Sequence, residues 1–382
     1  MKRYTAVQIG LGNRGVTHIK GFLQMQDRIH LTGICDVLPE RVETIGTAFD
    51  IPKTAWYTDA EALVKATRPE ILSFCTLPSV RLEMIELAVR YGVKAICMEK
   101  PMATSLHEAK KMVELCEAHG IKAVVCHQHK YLKNFRKLRE ILESGELGEV
   151  QRINAECQAW LSQLGTHYMD YVIWANHGIG PVSVVGHVHG RQLLADTHPS
   201  PDYFLGEMVL GNGVRSTLQF GYFTRPFHHH RENYEKGDYP IEFWEDDRLT
   251  VYGTTGYVWA ECSGCWGACT AKTGGNVIGG RENGFKDELE QPEAQLTYTE
   301  DLIRWLDGEI ASHPCNIRQA YEGYAALEAM EISALEHRRV DLPLEPLPKA
   351  DINERLSAEL PDVPRRTLPK QESSMVDSVF SK

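Results

Sequence analysis

Gly10, Gly12 and Gly15 stand in "VQIGLGNRG" as G-x-G-x-x-G, with Asn13 and Arg14 between the last two, and Asp36 closes the run "IHLTGICD". Glycines at this spacing permit a tight turn and let backbone approach a pyrophosphate, which the following helix N-terminus then holds. An acid at the end of the next strand can accept ribose hydroxyls. Because Asp36 would repel a 2′-phosphate, the pattern favours NAD over NADP; Arg41 is the nearby cation that bears on that preference.

A second group is Glu99, Lys100 and Pro101 in "CMEKPMA", directly after the apolar run "GVKAICM". Ligands of an open α/β sheet bind at the carboxyl ends of its strands, so a lysine there faces cofactor and substrate. In a partly dry site near other cations a lysine loses its proton more readily and can share in proton transfer, and even when charged it polarises a hydroxyl. Pro101 fixes the turn. Alone, the tripeptide is common and reads better as a solvated turn. The third group is "WLSQLGTHYMDYVIW", where helical spacing would put Gln163, His167, Asp170, Tyr171 and Trp174 on one face. His167 could exchange a proton with a substrate hydroxyl, although a histidine on a half-apolar helix is more often a satisfied core residue.

The elements that must position these groups are legible as a pattern. Short apolar runs, "TAVQI", "IHLTGIC", "EILSFC", "VKAIC" and "KAVVC", alternate with amphipathic segments such as "LHEAKKMVELCEAHG", in which Leu106, Ala109, Met112, Val113 and Cys116 recur at helical spacing. Strands with little polar alternation, joined by helices, predict a doubly wound parallel sheet of the Rossmann type over residues 1–126. From 127 to 342 the texture becomes α+β, with a large, mostly antiparallel open sheet. "KYLKNFRKLREILESGELGEV" predicts one amphipathic helix ending near Gly145, hairpins turn at 211–213 and 253–256, and two helices cover about 299–312 and 317–337. Residues 343–382, with repeated prolines, predict an extended arm docked on a partner subunit.

The chain has 382 residues, 43% hydrophobic and 24% charged, with a formal net charge of -11. Such a field repels phosphate backbones and anionic lipid, so nucleic acid and membrane are poor partners. A strand pattern begins within the first few residues, leaving no room for a signal peptide, so a cytoplasmic protein with buried free thiols is expected. Two further clusters, His228 to His230 and Cys262, Cys265 and Cys269, lack a complete ligand pattern, and no metal is expected. The basic run Lys130, Lys133, Arg136, Lys137 and Arg139 reads by default as a solvated face, and so do His187 and His189.

Together, in this order, the motifs resemble the glucose-fructose oxidoreductase and inositol dehydrogenase family (Gfo/Idh/MocA) over roughly residues 4 to 342. The resemblance includes "ICD", "CTLPS", E-K-P, "ESGELGEV", "LGTHYMD" and "VYGTTGYV". It implies Lys100 as catalytic lysine and His167 as substrate-facing histidine. Thr76, Leu77, Pro78, Glu99 and Gln128 would line the nicotinamide cofactor, with Lys130 near the substrate. The family's usual aspartate four residues before the histidine is here Gln163, which can orient a hydroxyl but cannot act as a base near neutral pH. The implied activity is NAD-dependent oxidation of a secondary hydroxyl of a sugar, sugar derivative or cyclitol by a homodimer or homotetramer. One alternative is a redox-neutral glycoside hydrolase that transiently oxidises a pyranoside carbon, eliminates the aglycone and returns the hydride. A non-catalytic sugar sensor is the other.

Overall fold

A computed structural model describes residues 2–159, 161–195, 199–221, 246–282 and 290–363, except for the side chains of residues 162, 163, 290 and 291. Its first sheet contains β1 (Tyr4–Ile9), β2 (Ile29–Cys35), β3 (Trp56–Tyr57), β4 (Ile71–Phe74), β5 (Ala95–Met98) and β6 (Lys122–Val125). All are parallel, in the order β3-β2-β1-β4-β5-β6. β4 and β5 are buried throughout, which accounts for their unbroken apolar sequence. The order reverses direction between β1 and β4, and the crevice at their carboxyl ends is where a doubly wound sheet takes its ligand. β3 escaped sequence reading because two residues carry no period.

The helix Leu106–Ala118 buries Leu106, Ala109, Met112, Val113 and Cys116, the expected stripe, and Ser105 caps it through the Glu108 amide. The helix expected from residue 130 begins later. Gln128–Tyr131 forms a tight 3-10 turn and the α-helix covers Lys133–Glu143. The turn carries His129 and Lys130 inward, against the expectation of a solvated basic face.

The second sheet, nine-stranded among the described residues, comprises β7 (Val150–Cys157), β8 (Pro181–His189), β9 (Tyr203–Leu210), β10 (Arg215–Gly221), β11 (Asp247–Gly253), β12 (Gly256–Ala260), β13 (Cys265–Cys269), β14 (Ile278–Arg281) and β15 (Val340–Asp341). Its order is β14-β13-β12-β11-β7-β10-β9-β8-β15, and the β7–β10 pair alone is parallel. Both expected hairpins, β9–β10 and β11–β12, are present. The helices Thr166–Ala175 and Ile317–Glu336 lie against the buried face, where Phe204 and Met208 of β9 alternate with less buried residues and Leu218 and Phe220 of β10 with the polar Thr217 and Gln219. The approach is close enough that a Cβ on Gly186 of β8 would lie 2.0 Å from the Met330 carbonyl oxygen.

Two expectations fail here. The helix read at 299–312 runs instead over Glu290–Asp307. The tail is not simply extended: Ile352–Glu359 is a helix capped by Asp351, and Ile352, Leu356 and Leu360 are buried against their own chain. Arg191 pairs with Asp362 at 2.7 Å. The tail's few apolar residues fall at helical spacing, a signal the prolines masked.

Candidate functional site

Gly10 leaves β1 at a φ of 78°, and a Cβ there would lie 2.5 Å from the Cys75 carbonyl oxygen, so the turn requires glycine. A Cβ on Gly15 would collide with the Gly10 carbonyl at 2.0 Å, whereas one on Gly12 would meet nothing within 4 Å. The loop is thus packed tightly at its base and open at its tip. Asp36, nearly buried, accepts from the Leu11 amide at 2.8 Å and the Leu38 amide at 3.0 Å, which ties the loops after β1 and β2 together. Arg41 lies 3.8 Å from the same carboxylate. Each Asp36 oxygen has capacity for one more donor, such as a ribose hydroxyl.

Glu99 follows β5 and is buried with Arg14 and His18 from the helix Asn13–Gln24. Arg14 Nε donates to Glu99 Oε1 at 2.7 Å, Arg14 Nη2 lies 3.3 Å from Cys126 Sγ, and His18 Nε2 is 3.4 Å from the same carboxylate oxygen. Burial opposes ionisation of Glu99, but Arg14 and His18 override it and hold the carboxyl well below the usual range. Glu99 is therefore a fixed anion. His18, Glu99 and Cys126 form a metal-like trio, yet the Arg14 guanidinium already supplies the positive charge to two of them. Among the described residues Cys262, Cys265 and Cys269 form no such cluster. His228 to His230 lie outside the described residues.

Lys100 comes next, half-buried before the cis Lys100–Pro101 peptide. Burial lowers its pKa to about 8; Glu99 resists the change, while Arg14 and Arg81 add to it. Sequence reading missed Arg81. Its guanidinium donates to the carbonyls of Thr76, Lys100, Glu99 and Pro101, the Thr76 bond from Nη2 being 2.7 Å, and so clamps "CTLPS" to the E-K-P turn. The Thr76 hydroxyl is buried without a partner among the described residues, Leu77 is 66% exposed, and Pro78 opens the following turn. Gln128 is buried, with its Oε1 3.5 Å from Cys126 Sγ. An open Gly12 tip, an orphaned hydroxyl and an uncovered leucine along one sheet edge fit a dinucleotide lying over that edge.

The second half contributes His167, which is buried and stacks on His129 with ring centroids 4.7 Å apart; His127 meets it edge-on at 5.0 Å. His167 Nδ1 shares a proton with Tyr171 Oη at 3.0 Å, leaving Nε2 for other partners. Burial, reinforced by the neighbouring imidazoles and Lys100, pushes His167 well below its ordinary pKa, and His129 is likewise held neutral by burial, Arg14 and Lys100. His127 and His129 were missed. The available signal was "HQHK" directly after β6, one strand from Lys100 on the same edge. Gln163 lies in the π-helical turn Leu161–Gly165, and its side chain is outside the described residues. Lys130 is almost fully buried, paired with Asp170 and donating to the Pro314 carbonyl at 2.7 Å. Gln319 donates to Asp170 at 2.7 Å. Burial raises the Asp170 pKa, but Lys130 outweighs it and brings the carboxyl to about 2. Lys130 is thus tied into a buried pair.

Residues 5–127 match the family described as "Oxidoreductase family, NAD-binding Rossmann fold". The domain is that of the Gfo/Idh/MocA oxidoreductases. NAD is accordingly its cofactor. The chain is similar to D-apiose dehydrogenase of Paraburkholderia graminis, 29% identical over 148 residues, covering 39% of this chain and 38% of that protein. It is also similar to myo-inositol 2-dehydrogenase of Thermotoga maritima, 25% identical over 141 residues, covering 37% and 41%. These matches thus span less than half of the curated relatives' length. Solved structures of oxidoreductases share the fold over most of the chain. An oxidoreductase from Agrobacterium radiobacter in complex with NAD+, L-tartaric acid and magnesium superposes with a TM-score of 0.73 at 18% identity, covering 89% of this chain and 98% of that one. An aldose-aldose oxidoreductase from Caulobacter crescentus gives 0.69 at 17%, covering 89% and 100%. Among the described residues no helix is long and apolar enough to cross a membrane.

Proposed function

We propose that this protein oxidises a secondary hydroxyl of a sugar, sugar derivative or cyclitol at the expense of NAD. The observation that carries the reading is Lys100, its pKa lowered to about 8, at the carboxyl edge of a dinucleotide-binding sheet, with His167 lying in its electrostatic field. When bound, NAD supplies the hydride acceptor. Glu99 and Arg14 fix the charge around the lysine, and Arg81 holds its backbone. Lys100 takes the hydroxyl proton, or polarises the hydroxyl while His167 Nε2 accepts it, since a neutral imidazole keeps a lone pair on one ring nitrogen. Asp36 would hold the ribose, and Thr76, Leu77, Pro78 and Gln128 would line the nicotinamide side. Tying Lys130 to Asp170 positions the His127 ring, whose Nδ1 lies 3.6 Å from Asp170. A homodimer or homotetramer joined through the open sheet would be the working assembly.

The test is NADH formation at 340 nm with NAD and a panel of aldoses, sugar acids and cyclitols. Net NADH from a free sugar, lost in Lys100→Met with NAD binding retained, is the expected result; no reduction with any member of the panel overturns the reading. The redox-neutral alternative keeps one support: a relative named 2,7-anhydro-N-acetylneuraminate hydratase, 24% identical over 166 residues. Aglycone release from a glycoside without net NADH would favour it.

A further inference from the structure

A cavity of about 380 Å³ is bounded by Pro101, Thr166, Tyr324, Leu327, Glu328 and Glu331, with Pro78 at the cofactor side and Asp351 and Ile352 of the tail also in its wall. Pro101 and Thr166 directly follow Lys100 and precede His167 in the chain. A smaller pocket shares Pro101, Thr166 and Tyr324 with the cavity and has His127 in its wall. The volume of the larger cavity falls in the range of small-ligand sites.

Tyr324, Leu327, Glu328 and Glu331 lie on one face of the helix Ile317–Glu336. Glu328 is 8% and Glu331 7% exposed, and among the described residues the only charged groups acting on either carboxyl are acids. Buried carboxylates are ordinarily paired, and leaving two unpaired in one cavity wall is costly unless a ligand completes them. The charged groups lining the cavity are all acidic: Glu328 and Asp351 act on Glu331, Asp351 acts on Glu328, and Glu108 joins them in the field at Tyr324. Asp351 is partly engaged, its carboxylate accepting from the Asn353 amide at 2.7 Å. Burial, together with Asp351, raises the Glu328 carboxyl to about 7, and Glu331 lies well above its ordinary value for the same reasons. About half of the Glu328 carboxyl therefore keeps its proton at pH 7, and a cation seated beside it favours the ionised form.

We infer that this cavity binds the protonated amine of an amino sugar or aminocyclitol, its ammonium seated between Glu328 and Glu331 and its ring against Pro101, Leu327 and Tyr324. An organic cation suits the lining better than a metal ion. The walls are mostly apolar, and the three carboxyls do not bring their oxygens within 4.8 Å of one another, as a shared ion would require. The inference deepens the proposed oxidoreductase reading by naming its substrate class.

The experiment is calorimetric titration of the full chain, with and without NAD, at pH 7.5. D-Glucosamine is compared with D-glucose and N-acetyl-D-glucosamine, and 2-deoxystreptamine with myo-inositol. At least one amine should bind about tenfold or more tighter than its hydroxyl counterpart, the size of one charge-assisted hydrogen bond. Binding should release protons, seen as heats that change with buffer. In E328Q/E331Q the preference should fall to within about threefold, and retained NAD binding shows that the variant is folded. Equal affinities, no binding by any amine of the panel, a preference unchanged in the variant, or Mg2+ or Ca2+ binding lost with the two carboxyls would each overturn the inference. Amine binding with no NADH from any sugar leaves the inference standing and removes the oxidoreductase reading instead.

Discussion

Replacing Lys100 with arginine keeps a positive charge at the end of β5 and removes a titration. The amine is brought from an ordinary 10.5 to about 8, first by burial and then by Arg14 and Arg81, with Glu99 pulling the other way. That change corresponds to about 3 kcal/mol in favour of the neutral form, so roughly a tenth of the lysine is neutral at pH 7, where an unperturbed lysine would have well under a thousandth. If the neutral amine accepts the hydroxyl proton, kcat/KM for oxidation with saturating NAD rises about tenfold per pH unit up to pH 8 and levels above it. His129 and His167 do not confuse the assay, since burial holds both well below their usual range. Lys100→Arg should lose the limb and about two to four orders of magnitude of rate while still binding NAD. Reductive methylation with 13C-formaldehyde gives the same pKa directly by NMR. A flat profile across pH 8, or a Lys100 resonance titrating above 10, refutes the reasoning.

Asp170→Asn leaves Lys130 buried without its counter-charge and should cost about 3–5 kcal/mol in urea unfolding, with much of the loss recovered when Lys130→Met is added. Glu328 has its folded pKa raised from 4.5 to about 7. Its stabilising contribution is full below about pH 4.5 and is lost as the pH rises through 7. Glu328→Gln should therefore gain about 2–3 kcal/mol at pH 8.5 and almost nothing at pH 4, by denaturation at the two pH values. Gly10→Ala places a methyl against the Cys75 carbonyl at a left-handed φ and should abolish NAD binding in calorimetry.

The parallel sheet was readable because its strands are buried on both faces and leave unbroken apolar runs, and the second sheet because its hairpins keep alternation around glycine turns. Glycines 10, 12 and 15, Asp36, Lys100 and His167 were visible as residue types at strand and helix ends. What escaped depends on distant partners. Arg81 at a helix start looks like any surface arginine until its guanidinium is seen among four carbonyls from two loops. Lys130 looks solvated until Asp170, far along the chain, draws it inward. Glu328 and Glu331 read as the polar side of an amphipathic helix, and only the tail helix packing beside them turns that side into a cavity wall. The helix Ile352–Glu359 itself was hidden by flanking prolines.

Rapid mixing of the NAD-loaded protein with the sugar, amino-sugar and cyclitol panel, followed at 340 nm through a single turnover, tests the central claim most directly, because it detects hydride transfer whether or not NADH accumulates in the steady state. The account predicts absorbance at 340 nm with wild type for at least one compound and none with Lys100→Met. Absence of the signal for every compound, or an undiminished signal in Lys100→Met, contradicts it.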